Sequence, residues 1–210
     1  MIKIIKKQNN FGFTLTETIV VIAIFTLLAL GVTTLFTHIF ITSREKTFSL
    51  DNLDQARTIA NNFTNEIRIA SVGNDGAYPI TQADDNEIIF YSNYKQADGI
   101  IARLHYYLAG NTLYKGTVIP SGSPLSYNLT QESIKMVQNN ILNDGSPIFY
   151  YYDGDYTGSS SPLPQPVNVN QIKFIEINLD ILKQATTTAT TTFNVRAGSS
   201  VRNLKENLGN

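Results

Sequence analysis

The chain of 210 residues contains no cysteine and no tryptophan, and it has only two histidines, His38 and His105. Without cysteine there is no disulfide, no thiolate metal site and no cysteine nucleophile. Two histidines far apart in the sequence are too few for a histidine-rich metal site. The formal net charge is −1, so no global electrostatic field attracts nucleic acid or acidic lipid.

Catalytic motifs are missing as well. The sequence shows no set of nucleophile, base and orienting group, no glycine-rich phosphate loop after a strand, and no HExxH zinc motif. We therefore predict that the protein is not an enzyme and uses no cofactor.

Three aspartates offer a weak candidate calcium site. Asp144, Asp153 and Asp155 flank the run PIFYYY, and calcium prefers such oxygen ligands. Their spacing matches no EF-hand loop. The interpretation we favour is a pair of solvated turns, Asp144-Gly145 and Asp153-Gly154, so no metal site is predicted.

One long uncharged run dominates the N-terminal part of the chain. Residues 19–41 contain no Asp, Glu, Lys or Arg, and a helix over them is roughly 35 Å long at about 1.5 Å per residue. That length is enough to span a bilayer core. The preceding residues 1–12 carry three lysines, which favours a cytoplasmic N-terminus and a remainder outside the cytoplasm.

The polar stretch after this span keeps a helical pattern. Its apolar residues recur at spacings of three and four, which is typical of one helix face. We predict one helix over residues 14–71, with a transmembrane half (13–41) and an amphipathic half (42–71), ended by the cluster Gly73–Gly76. The apolar stripe consists of Leu53, Ala56, Ala60, Phe63, Ile67 and Ala70.

The remaining residues, 72–210, predict a β-rich globular head. A hairpin signal lies at Ala109-Gly110-Asn111, and residues 131–142 are ambiguous between helix and strand. The predicted strands are 87–92, 101–108, 112–118, 147–152, 175–181 and 186–195. Because the apolar stripe of the helix requires a partner surface, we predict an α+β fold in which the helix packs on an antiparallel sheet.

Glu17 is the residue that points most clearly to a function. It lies at the edge of an otherwise uncharged apolar helix, where a carboxylate is costly unless it reaches water or a cation. Gly12 and Phe13 precede it, behind the basic leader. Together these features resemble the type III signal of type IV pilins and type II secretion pseudopilins, and residues 23–29 resemble the J-type minor pseudopilins in particular.

This resemblance implies a structural role. A prepilin peptidase would cut between Gly12 and Phe13, remove residues 1–12 and methylate the new N-terminus on Phe13. Glu17 would then pair with the cationic amine of a neighbouring subunit. The implied protein is a single-pass minor pilin or pseudopilin of the cytoplasmic (inner) membrane, with its head outside the cytoplasm. It assembles with other pilin or pseudopilin subunits into a pilus or a type II secretion pseudopilus.

Other interpretations remain open. Thr14-x-x-Glu17 is also a capping box at a helix start. Ala29-Leu30-Gly31 resembles a secretory cleavage site, and the apolar run can also be an uncleaved anchor. The second function considered is a membrane-anchored extracellular binding module for DNA uptake or adhesion. The tyrosines can stack on single-stranded DNA, yet Lys and Arg do not cluster beside them, so nucleic-acid binding is not indicated.

Overall fold

The computed structural model describes residues 12–93, 99–185 and 190–204. The chain forms two compact units, Met1–Thr47 and Phe48–Asn210. The first contains the apolar part of one long helix. The second contains the rest of that helix and all the described strands.

Helix α1 runs from Leu15 to Arg68, which confirms the predicted long N-terminal helix. Its segment Leu15–Ser43 is long and apolar enough to cross a membrane. Within this segment threonine hydroxyls donate to backbone carbonyls three or four residues earlier, at 2.7 to 3.2 Å. These bonds are Thr18 to Thr14, Thr26 to Ile22, Thr33 to Ala29, Thr34 to Leu30 and Thr37 to Thr34. Since lipid offers no hydrogen-bonding partner, such internal pairing suits a helix in an apolar surrounding.

The helix ends at Arg68, earlier than the predicted residue 71. Ala70 has already left the helix and forms an antiparallel bridge with Ser92. The Ser92 hydroxyl donates to the carbonyl of Glu66 at 2.9 Å, so a carbonyl of the last turn finds its partner on a strand. Contact with the sheet, and not the glycine cluster after the helix, therefore sets its end.

Five strands form an antiparallel meander in the order β1-β2-β3-β4-β5. Their bounds are β1 Ile80–Ala83, β2 Glu87–Ser92, β3 Ala102–Ala109, β4 Thr112–Val118 and β5 Ser133–Gln138. The predicted hairpin at Gly110 is confirmed, and this glycine has a φ of 59°, a left-handed conformation that it adopts without strain. The ambiguous residues 131–142 contain a strand. β1, a strand of four residues, was not predicted.

A second antiparallel sheet contains three strands with β7 in the centre. Their bounds are β6 Phe149–Tyr152, β7 Phe174–Ala185 and β8 Thr190–Ser200. The sequence predicted one sheet, and the structure has two, joined by an isolated bridge between Ile141 and Ile181. Of the predicted strand 186–195, residues 186–189 lie outside the described residues, and the remainder belongs to β8.

Phe63 on α1 lies at the centre of the core. Its ring contacts the rings of Phe90, Tyr106 and Phe149, with centroid distances of 6.0, 5.3 and 5.4 Å. Phe90 and Tyr106 belong to the first sheet and Phe149 to the second, so the amphipathic part of α1 packs on both sheets. The inward residues of β7 are fully buried, as the alternating pattern predicted: Ile175, Ile177, Leu179 and Ile181. The α+β prediction is confirmed.

Candidate functional site

The candidate site at the start of α1 begins with an exposed junction. Gly12 and Phe13 precede the helix, and the Phe13 side chain is 81% exposed. Among the described residues, the space where a side chain would lie on Gly12 is open. Both residues of this junction are therefore exposed among the described residues.

Thr14 and Glu17 form the capping box that the sequence predicted. The Glu17 backbone N–H donates to Thr14 Oγ1 at 3.3 Å, and the Thr14 backbone N–H donates to Glu17 Oε2 at 3.0 Å. The Thr14 hydroxyl also donates to Glu17 Oε2, at 2.9 Å. These bonds satisfy backbone donors that the first helical turn leaves free, so residue types and spacing alone explain why the helix begins at Leu15.

The same geometry places Glu17 close to the amine that cleavage would create. Glu17 Oε2 lies 3.0 Å from the Thr14 nitrogen. Because consecutive Cα atoms are about 3.8 Å apart, an amine on Phe13 lies no more than about 7 Å from this carboxylate. A positive charge on Phe13 would therefore be attracted to Glu17 without rearrangement of the helix.

Beyond this site, the first unit presents an apolar surface. The window of Leu15–Ser43 that qualifies as a membrane span has none of its residues buried. Its large side chains between Ile19 and Ile41 are each more than half exposed. Exposed apolar surface of this extent marks contact with lipid or with other proteins.

In the head, Glu66 is a buried carboxylate that the sequence did not identify. Its side chain accepts hydrogen bonds from the Tyr106 hydroxyl, at 2.7 Å, and from the Lys115 ammonium. Burial, and then the negative charge of Glu66 and the bond to it, raise the pKa of Tyr106 well above its usual value. The partners lie 40 and 49 residues away in the sequence, so no local pattern shows them. This network joins α1 to β3 and β4.

His105 lies between two acids on the opposite face of the same sheet. Its Nε2 is 2.8 Å from Glu87 Oε1, and its Nδ1 is 3.1 Å from Glu132 Oε1. Arg103 Nη1 also contacts Glu132 Oε1, at 3.4 Å. These contacts hold the segment just before β5 over β3, which is a structural role.

The three candidate calcium ligands lie in the two predicted turns. Asp144, with a φ of 47°, and Gly145 form one turn. In the other, Asp153 Oδ1 accepts from the Asp155 backbone N–H at 3.1 Å. Asp153 and Asp155 line a recess of about 710 Å³, and Asp144 lines a different one. Among the described residues, no group of three or more His, Asp or Glu side chains is arranged to hold a metal ion.

Part of the predicted processing site lies outside the described residues. The predicted leader comprises residues 1–12, and its three lysines lie in the range 1–11, outside the described residues. Cleavage after Gly12, methylation of Phe13 and the pairing role of Glu17 therefore stay predictions.

Comparison with known protein families finds one match at this end of the chain. Residues 7–33 match the prokaryotic N-terminal methylation motif, a region that contains the exposed Gly12–Phe13 junction and the capping box. No curated protein sequence matches the chain. The motif implies processing by a prepilin peptidase and assembly with other pilin subunits. This motif, at the start of a long apolar helix, supports a relationship to the type IV pilin-like family.

Proposed function

We propose that the protein is a minor pilin or pseudopilin, a structural subunit of a type IV pilus or a type II secretion pseudopilus. The observation that carries this proposal is the position of the methylation motif, residues 7–33, across the start of α1. The head supports a structural role, because its buried charges, exemplified by Glu66, are used to hold elements together.

In the proposed sequence of events, the protein first lies in the cytoplasmic membrane as a single-pass protein. Leu15–Ser43 spans the lipid, and the head is outside the cytoplasm. Prepilin peptidase hydrolyses the bond between Gly12 and Phe13, and the amine released on Phe13 is methylated. A secondary amine of this kind remains protonated near neutral pH, so the helix start gains one positive charge.

Glu17 has two roles in this proposal. In the single subunit it caps the helix through Thr14 and lies close to its own Phe13 amine. In the filament it pairs with the Phe13 amine of a neighbouring subunit, in a surrounding where lipid and packed helices keep water away. An ion pair in such a place resists removal of either partner, and it sets the axial position of one subunit against the next.

The processing step is tested by the intact mass of the full chain, expressed in a host with a prepilin peptidase. We expect a mature chain that begins at Phe13 and carries one added methyl group. Gly12→Ala tests whether the small residue at the junction is needed, and we expect it to slow or prevent the cut. A mature protein that retains residues 1–12 would contradict the proposal.

The two roles of Glu17 are separated by Glu17→Gln. Glutamine at this position preserves the capping box but has no charge, whereas Glu17→Ala removes both. We expect both variants to insert into the membrane and both to be poorly incorporated into filaments. Normal incorporation of Glu17→Gln would restrict this residue to helix capping.

The alternative function is a membrane-anchored extracellular module for DNA uptake or adhesion. On the described part of the first sheet, Tyr107 and Tyr114 stack with centroids 5.4 Å apart, which is a surface that bases can use. Arg103, on the same face as the two tyrosines, is paired with Glu132, which lowers its value for phosphate binding. Lys115 lies on the helix-facing side of the sheet, where it is paired with Glu66. Salt-dependent binding of single-stranded DNA to the full chain in detergent would favour this alternative.

A further inference from the structure

Strand β5, Ser133–Gln138, lies at the end of the five-stranded sheet and pairs with β4 along one side. On its other side, among the described residues, no further strand pairs with it. A side-chain contact reaches its C-terminal part, where Gln55 Nε2 donates to the Val137 carbonyl at 3.3 Å. About half of the backbone N–H and C=O groups of an edge strand point away from the sheet, so they are available to a second strand.

The side chains of β5 protect this edge with a single charge, that of the exposed Lys135. Ile134 is 53% exposed and Met136 is 60% exposed, on the face that they share with Tyr114 and Gly116 of β4. Proteins commonly block an open edge with proline, charges or a covering element, because an exposed apolar edge pairs with other chains. Here one charged residue, Lys135, lies between the two apolar ones.

Lys135 has no salt-bridge partner in the part of the chain that the structure describes. It lies directly opposite Lys115 in the ladder, on the helix-facing side of the sheet. Lys115 is paired with Glu66, and no described carboxylate forms a salt bridge with Lys135. Like charges directly opposite each other are destabilising, and among the described residues Glu66 forms its salt bridge with Lys115 and not with Lys135. An acidic side chain delivered next to Lys135 from outside the sheet would balance them.

We propose that the free edge of β5 binds an extended segment of a different pilin-type subunit, which continues the sheet by one strand. This segment places apolar side chains opposite Ile134 and Met136 and an acidic side chain opposite Lys135. The inference rests on the proposed function, since assembly with other pilin subunits supplies the partner. A second copy of this chain fits less well, because the antiparallel register that pairs Ile134 with Met136 also places two Lys135 side chains opposite each other.

The test uses the full chain in a host that assembles the filament, with a photo-crosslinking amino acid in place of Met136. The matched control carries the crosslinker at Thr81, an exposed position on β1 at the opposite edge of the sheet. We expect a light-dependent adduct from position 136 with another protein that carries an N-terminal methylation motif, and none from position 81. Lys135→Glu should lower the adduct yield about five-fold, and Lys135→Gln should lower it less.

The outcomes separate the two proposals, since the intact mass of the same sample reports processing at Gly12. A processed chain without the adduct would overturn the inference on β5 and leave the proposed function standing. An adduct unaffected by Lys135→Glu, with a second copy of this chain, or with a protein lacking the motif would also overturn it. An unprocessed chain would overturn the proposed function and the inference that rests on it. Circular dichroism of each purified variant in detergent confirms that the head is folded.

Discussion

Replacing Lys115 with methionine is expected to destabilise the head by about 3–5 kcal/mol, the cost of removing one partner of a buried ion pair. Glu66 is the reason, since its side chain is 5% exposed and cannot reach water when Lys115 is lost. The Tyr106 hydroxyl remains as its donor, but one neutral hydrogen bond does not compensate a buried charge.

The reverse change should cost less. In Glu66→Leu the Lys115 ammonium is left alone, yet this side chain is 22% exposed and can turn towards solvent. The double variant Glu66→Leu/Lys115→Met contains no buried charge, so it should be more stable than Lys115→Met by at least 1 kcal/mol, as is found when whole buried pairs are replaced by apolar residues. The loss in the double variant minus the summed losses in the two single variants measures the coupling between the two side chains.

The measurement is thermal unfolding of the full chain in detergent, followed by the near-ultraviolet circular dichroism of the tyrosines. For a domain the size of the head, 1 kcal/mol corresponds to about 2–4 °C in Tm, so Lys115→Met should lower Tm by roughly 6–20 °C. Tyr106→Phe is the matched control, and it should cost about 1.5–3 kcal/mol through loss of one hydrogen bond to a charged group. A Lys115→Met variant as stable as the unsubstituted protein would refute this reasoning.

Three further outcomes are expected. Phe63→Ala should destabilise the head by about 3–5 kcal/mol and Phe63→Leu by clearly less, because the ring fills the junction of helix and sheets. Chemical denaturation measures both losses, and equal losses would exclude a cavity effect. Gly198→Ala should lower the free energy of unfolding by about 1–3 kcal/mol, since a Cβ there would lie 2.6 Å from the Phe174 ring and 2.9 Å from a backbone oxygen. The control Gly154→Ala would meet only a side-chain atom at 3.9 Å, so it should leave the stability unchanged in the same assay. Burial, and then the negative charge of Glu176, raise the pKa of Tyr152 to about 12. The stability that its neutral phenol contributes is complete below the usual tyrosine pKa of about 10 and is lost as the pH rises to about 12. Tyrosinate absorbance against pH, compared with Tyr152→Phe, checks this, and titration of Tyr152 near pH 10 would contradict it.

The parts of the fold that local patterns determine were predictable. The long helix follows from its uncharged run and its three-and-four spacing, and the β3–β4 hairpin follows from Gly110 between two apolar runs. The capping box was read from two residues, Thr14 and Glu17, whose hydrogen bonds lie within one helical turn.

The parts that depend on distant residues were not predictable. β1 is too short to show a pattern, and it exists because it pairs with β2. The division into two sheets depends on which strands pair, since β6 pairs with β7 and not with β5, and no local pattern shows this choice. Likewise, Glu66 resembles any polar residue on a helix until the fold brings Tyr106 and Lys115 to it.

The processing site was predicted from resemblance together with the physics of a carboxylate at a lipid boundary. The methylation motif covers Gly12, Phe13 and Glu17, and the individual roles of these residues stay predictions. Cleavage after Gly12 and methylation of Phe13 do not follow from the geometry of the helix start, because another enzyme carries them out. Mass spectrometry of the mature chain is therefore the decisive measurement for these residues.

The threonines of α1 have a consequence for how such a helix moves past its neighbours. The hydroxyls of Thr26, Thr33 and Thr34 each donate their hydrogen bond to a backbone carbonyl of the same helix. A bundle of such helices would then be held by side-chain packing and by the charges at one end. These three hydroxyls would donate no hydrogen bonds between helices along the apolar segment. In the proposed filament, these side chains would therefore offer no hydrogen-bond donor to hold one helix against the next as the helices shift lengthwise before the Phe13 amine meets Glu17.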